Sequence, residues 1–140
     1  ALAVGADGVH LGQNDMDIAD ARRIAGTDCI IGISVESVQD ALTAEAAGAD
    51  YLGISPVFAT PTKTDTAAPL GLAGVRAIRA AVNLPLVGIG GINQTNAAAV
   101  LQAGADGVAV VSAIVAATCP RSAAAALHQQ IKQRAEKPWP

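Results

Sequence analysis

The sequence predicts an α/β domain of the parallel (β/α)8 TIM-barrel type that lacks the first three β-α units. Three observations predict it: apolar strand-like runs alternate with helical segments, a Gly-Ala-Asp junction recurs between them, and the units number five. Runs such as Cys29 to Ser34, Leu86 to Ile89 and Val108 to Ser112 are almost continuously apolar. That is the habit of strands covered on both faces, as in a parallel sheet flanked by helices. Strict alternation leaves the doubly wound sheet and the closed barrel. A closed barrel has eight strands and about 200–250 residues, whereas this chain places five strands in 140 residues. Ala1 to Val4 read as the tail of a helix, so the chain is expected to be the last five units of a barrel, one domain over residues 1–140. A complete five-stranded open sheet is the alternative that length alone permits.

The junction recurs as Gly5-Ala6-Asp7, Gly48-Ala49-Asp50 and Gly104-Ala105-Asp106, each followed by an apolar run. Its glycine supplies the left-handed residue that closes a helix, and Ala-Asp makes the short turn into the next strand. After the first strand, at Val9 to Leu11, Asp17 is placed to cap a helix over Ile18 to Ala25. Ser37 to Asp40 resembles a capping box opening a helix that runs to Ala47. The third helix spans Leu72 to Ala81 and stops before Leu84-Pro85. Asn93 or Thr95 caps a fourth, which ends at Ala103. Pro120 suits the first turn of a last helix running to about Glu136, with Pro138-Trp139-Pro140 as a loose tail.

Composition narrows the function. Hydrophobic residues make up 51% and charged residues 15%, which excludes intrinsic disorder. Aromatics are only 2%, so the core must be built from small aliphatic side chains. A net charge of −3 argues against a nucleic-acid or anionic-membrane partner, where a basic stripe is expected. Mean hydropathy is +0.39. Even so, the apolar stretch from Gly107 to Pro120 falls short of the roughly 20 residues of a spanning helix. The start shows no signal-peptide pattern, and Cys29 and Cys119 have no His at metal-ligand spacing. The expected setting is cytoplasmic, with two reduced thiols and Cys29 in the core.

Polar and glycine-rich segments follow the strands, on the rim where both candidate folds keep their ligands. Gly90-Gly91 after the fourth strand and Val111-Ser112 after the fifth are in the right order for the phosphate site of the last two barrel strands. Gly-Gly alone would equally be a bare turn device. Lys63 is the only lysine before Lys132, and its loop holds Thr60, Thr62 and Thr64. A lone cation among hydroxyls suits a phosphate or pyrophosphate. Asp15 reads equally as a partial ligand for Mg2+ and as a helix-opening carboxylate, while Asp17 reads as the latter. His10 lies in an apolar strand as a core or barrel-lining residue.

Val9-His10-Leu11-Gly12-Gln13-Asn14-Asp15-Met16, Ile31-Gly32-Ile33-Ser34 and Pro56-Val57-Phe58-Ala59-Thr60-Pro61-Thr62-Lys63 resemble the thiamine-phosphate synthase family. Val87-Gly88-Ile89-Gly90-Gly91-Ile92-Asn93 and Gly107-Val108-Ala109-Val110-Val111-Ser112 continue the likeness in order, over nearly the whole chain up to the last helix. The resemblance implies a (β/α)8 transferase that joins a pyrimidine methyl pyrophosphate to a thiazole phosphate and releases pyrophosphate. It implies Asp15 as one Mg2+ ligand, Ser34 at the pyrimidine, and Lys63 neutralising the leaving pyrophosphate. It also implies Thr60, Pro61 and Thr62 against the thiazole phosphate, with Gly91, Val111 and Ser112 binding its phosphate group. The family's Gln-x-Arg-x-Lys segment and Asn-Asp pair do not occur here, and they belong to the strands that the unit count leaves out. Val35-Glu36 stands where the family often has Thr-His. Two alternatives remain: a thiazole tautomerase-like barrel, and a catalytically inactive phosphate-ligand-binding fragment. Uncovered strand edges and barrel-interior aliphatics would favour association into a homo-oligomer.

Overall fold

Pairing in the sheet runs in chain order. In the computed structural model, which describes residues 1–60 and 68–135, five parallel strands lie in the order β1-β2-β3-β4-β5. They are β1 (Gly8–Leu11), β2 (Ile30–Val35), β3 (Tyr51–Ile54), β4 (Leu86–Ile89) and β5 (Gly107–Ala109). A doubly wound sheet reverses its strand order at a switch point; here nothing reverses. Sequential parallel pairing is the arrangement of a barrel wall, so the architecture is an arc of the TIM-barrel type.

The helices are α1 (Ile18–Ala25), α2 (Val38–Ala46), α3 (Gly71–Ala81), α4 (Ala97–Gln102), α5 (Ser112–Val115) and α6 (Pro120–Ala135), and Leu2–Val4 form a single 3-10 turn. Four of them bury residues at i and i+3: Ile18 and Ala21, Ala41 and Ala44, Val75 and Ile78, Ala97 and Val100. That spacing puts each pair on one helix face. They pack on one side of the sheet against Ile31, Ile33, Val35, Leu52, Ile54 and Leu86, all buried. Small residues set the distance: a Cβ at Gly88 would lie 2.7 Å from Val100 Cγ1. The opposite, concave face is open. His10 is exposed there and Ile30 is 49% exposed, so burial on both faces, read from the apolar runs, is corrected to burial on the helix side.

The recurring junctions act as latches on the N-terminal side of the sheet. Gly48 and Gly104 close their helices at φ 87° and 118°. The main-chain N–H of Asp50 donates to Ile31 O (2.8 Å), and Asp50 Oδ2 accepts from Ile31 N (2.7 Å). Asp106 does the same with Leu86, at 2.7 and 2.8 Å. Each carboxylate meets an arginine from a helix, Arg22 of α1 at 2.6 Å and Arg79 of α3 at 3.3 Å. Both arginines also hold carbonyls at the strand approaches, Arg22 those of Gly26 and Cys29, Arg79 those of Val82 and Leu84. Burial would raise the Asp50 carboxyl, but the Ile31 N–H and Arg22 outweigh it and hold it below its ordinary value.

Several expected boundaries move. Asp17 caps α1 through Ala19 N at 2.8 Å, and Ser37 caps α2 through Asp40 N at 3.1 Å. The return bond of the capping box goes from Glu36 N, not Ser37 N, to Asp40 Oδ2. Asn93 folds a turn on Thr95 instead of capping, so α4 starts only at Ala97. β5 ends at Ala109, whose partner Ile89 ends β4, and Val110-Val111 turn into the short helix α5. Cys29 precedes β2 and is half-buried, not core.

Candidate functional site

All five strands point the same way, so their C-terminal ends and the loops after them share one rim. At the β4 end, Gly90 and Gly91 have φ of 94° and 63°. A Cβ at Gly91 would lie 2.6 Å from Ala59 O and 2.7 Å from Phe58 Cβ, so only glycine lets the two loops close together. Val57 N donates to Ile89 O at 2.8 Å and Phe58 N to Gly90 O at 3.1 Å, tying the β3 loop over this turn. The Ser55–Pro56 peptide is cis. Between these loops and the start of α5 lies a cavity of about 120 Å³ lined by Ser55, Thr60, Gly90, Gly91, Val111 and Ser112. Ile114 and Val115 donate their main-chain N–H groups to Val111 O, which closes the turn of α5 beside this cavity. A cavity of this size can take one phosphate group.

Asp15 stands apart, in a groove of about 250 Å³ beside α1 and α2 with Gln13, Asp17 and Asp40. Its Oδ2 accepts the Gly12 N–H at 2.6 Å, folding the loop on itself. No group of three His, Cys, Asp or Glu side chains able to hold a metal occurs among the described residues. The exposed carboxylate fits a Mg2+ site of the kind in which one Asp joins water and ligand phosphates. Pro61, Thr62 and Lys63 lie outside the described residues.

Ser34 lies on the concave face near the end of β2, and two residues singled out for no role accompany it. His10 Nε2 is 3.0 Å from Ser34 Oγ, and His10 Nδ1 is 2.8 Å from Tyr51 Oη. Gln13 Nε2 donates to Ser34 O, tying the β1 loop to the same strand. Although the residue is exposed overall, partial desolvation of its ring lowers His10 below its ordinary value, against the upward pull of the Asp15 charge. Burial pushes the Tyr51 phenol up. The available signal was the glycines: Gly32 and Gly53 interrupt apolar strands, which marks a close approach. The structure therefore brings Thr60, Gly91, Val111 and Ser112 together, sets Asp15 in a separate groove, and gives Ser34 two new partners.

A family profile described as thiamine monophosphate synthase matches residues 1–114. A thiamine-phosphate synthase of Chloroflexus aurantiacus is 56% identical over 137 residues, covering 98% of this chain and 63% of the relative. One from Albidiferax ferrireducens is 56% identical over 131 residues, covering 94% of this chain and 60% of its own length. The chain thus spans about three fifths of the curated relatives it matches. A solved thiamine phosphate pyrophosphorylase from Pyrococcus furiosus superposes with a TM-score of 0.87 at 48% identity, over 94% of this chain and 62% of that one.

Proposed function

The chain belongs to the thiamine monophosphate synthase family, and from that premise we propose that it carries the thiazole-phosphate end, and part of the pyrophosphate end, of a thiamine-phosphate synthase site. The reaction would couple 4-amino-2-methylpyrimidine-5-methyl pyrophosphate with hydroxyethylthiazole phosphate, giving thiamine phosphate and pyrophosphate. The observation that supports this most directly is the 120 Å³ cavity at the glycine turn. In this reading Gly91, Val111 and Ser112 bind the thiazole phosphate group, with Thr60, Pro61 and Thr62 around the thiazole phosphate. Ser34 meets the pyrimidine. Lys63 neutralises the leaving pyrophosphate. Asp15 would hold Mg2+, which supplies charge neutralisation at the pyrophosphate when bound. No covalent nucleophile is needed: catalysis comes from positioning the two substrates and stabilising charge that develops on the leaving group.

The same reading treats residues 1–140 as one domain, takes small molecules as the partners, and places the work in the cytoplasm with Cys29 and Cys119 reduced. No helix among the described residues is long and apolar enough to cross a membrane. The test is pyrophosphate release from both substrates with Mg2+. Lys63→Ala is expected to slow it by about 10²–10³-fold, the usual effect of losing one donor to developing charge. Turnover unchanged in that variant would remove Lys63 from its role. Thiazole-phosphate binding without turnover or Mg2+-dependent pyrophosphate binding would make the chain a binding fragment instead.

A further inference from the structure

Register sets the geometry on the concave face. His10 pairs with Gly32 and Gly32 with Tyr51, while Ser34 pairs with Gly53, so these residues share one side of three adjacent strands. Tyr51 leans across Gly32: a Cβ there would lie 2.1 Å from Tyr51 Cζ. His10 leans over Gly53, where a Cβ would be 3.0 Å from His10 Cε1. In the space those two glycines leave, the rings meet with centroids 5.4 Å apart, and the chain Tyr51 Oη, His10 imidazole, Ser34 Oγ closes through hydrogen bonds of 2.8 and 3.0 Å.

A three-member chain of this kind can run in two directions. Either Ser34 donates to Nε2 and shows lone pairs to a ligand, or Nε2–H donates to Ser34 and leaves the serine proton free. The phenol decides between them. With a pKa of about 10, a tyrosine hydroxyl is far more acidic than a serine hydroxyl and is the stronger donor. That ordering favours Tyr51 as the donor to Nδ1, which puts the imidazole proton on Nε2 and leaves Nε2–H to donate to Ser34 Oγ.

We infer that Tyr51 and His10 are positioning residues that hold the Ser34 hydroxyl as a hydrogen-bond donor toward an acceptor nitrogen of a heteroaromatic ring. This rests on the reading that puts the pyrimidine at Ser34. Burial lowers the His10 pKa and raises that of Tyr51, and both shifts favour the neutral forms the relay uses.

Two measurements test it separately. Long-range 15N–1H spectra of His10 above neutral pH should show the Nε2–H tautomer, and Tyr51→Phe, which keeps the ring, should shift it toward a mixture of tautomers. Gly32→Ala should do the same by displacing the Tyr51 ring, with no polar group removed. The second measurement is calorimetric binding of 4-amino-5-hydroxymethyl-2-methylpyrimidine. Ser34→Ala should weaken it by about fivefold to tenfold, the effect of one hydrogen bond, and Tyr51→Phe by a similar factor. The double variant should lose little more than either alone. An Nδ1–H tautomer in the parent protein, or losses that multiply in the double variant, would overturn the relay. A parent protein with the Nε2–H tautomer that ignores the pyrimidine would overturn the functional reading and leave the relay standing.

Discussion

Desolvation lowers the His10 pKa, and part of the protein's response to acid follows from that shift. Burial disfavours its charged form, with Asp15 partly restoring it; the other titratable neighbour on that face is Tyr51. Its folded pKa lies below 6.5, so the unfolded chain binds the proton first. The folded state keeps its full stability above the unfolded value and loses it as pH falls toward the lowered one. Urea midpoints should therefore drop between about pH 7.5 and 5.5, and His10→Asn should flatten that part of the profile. Asp15→Asn should lower the His10 pKa further, read by NMR titration of the ring protons, because only the restoring charge is lost. Caps at this scale were legible in the sequence, since Asp17 and Ser37 act on N–H groups two and three residues away. His10 could be placed only as core or lining. Its partners are 24 and 41 residues distant, and nothing local to residue 10 names them.

The elements are joined by two copies of one latch, and its strength can be compared with an ordinary surface pair. Arg22 and Arg79 each bind an aspartate and several carbonyls at once, with side chains 26% and 28% exposed. Arg22→Met and Arg79→Met should each cost about 1.5–3 kcal/mol in urea unfolding, the range for hydrogen bonds to charged groups. Arg23, 76% exposed and paired with Asp20 among the described residues, should cost about 0.5 kcal/mol or less as Arg23→Ala. Equal costs for all three would show that the latches contribute no more than surface charge. The glycine that starts each of these latches could be read from sequence because helix closure is local. The arginine could not, because it comes from a different unit. The end of β5 was hidden for a similar reason. Val110 and Val111 look like strand, but a strand lasts only as long as its neighbour, and β4 stops where Gly90 and Gly91 turn left-handed.

Across the whole molecule, helices cover one face and leave the other open. Near α1 a groove of about 350 Å³ is lined by Leu2, Val9, Leu11, Met16 and Ile24, of which Leu2, Met16 and Ile24 are at least half exposed. Apolar surface of this kind seeks cover. The chain alone should self-associate in sedimentation velocity as its concentration rises, and Met16→Glu with Ile24→Glu should suppress that while leaving the far-ultraviolet circular dichroism unchanged. A chain that stays monomeric at every concentration would show that the groove needs no partner. The five-strand arc could be foreseen from unit counting because α/β alternation is written in every segment; the open concave face could not, since apolar strands look alike whether one side is covered or both. The chain-order pairing of the strands also bears on how the protein is made. Each of β2 to β5 finds a partner in the strand laid down just before it. A polypeptide emerging from the ribosome can add one strand and one helix at a time to a growing wall, with α6 then packing on α4 and α5.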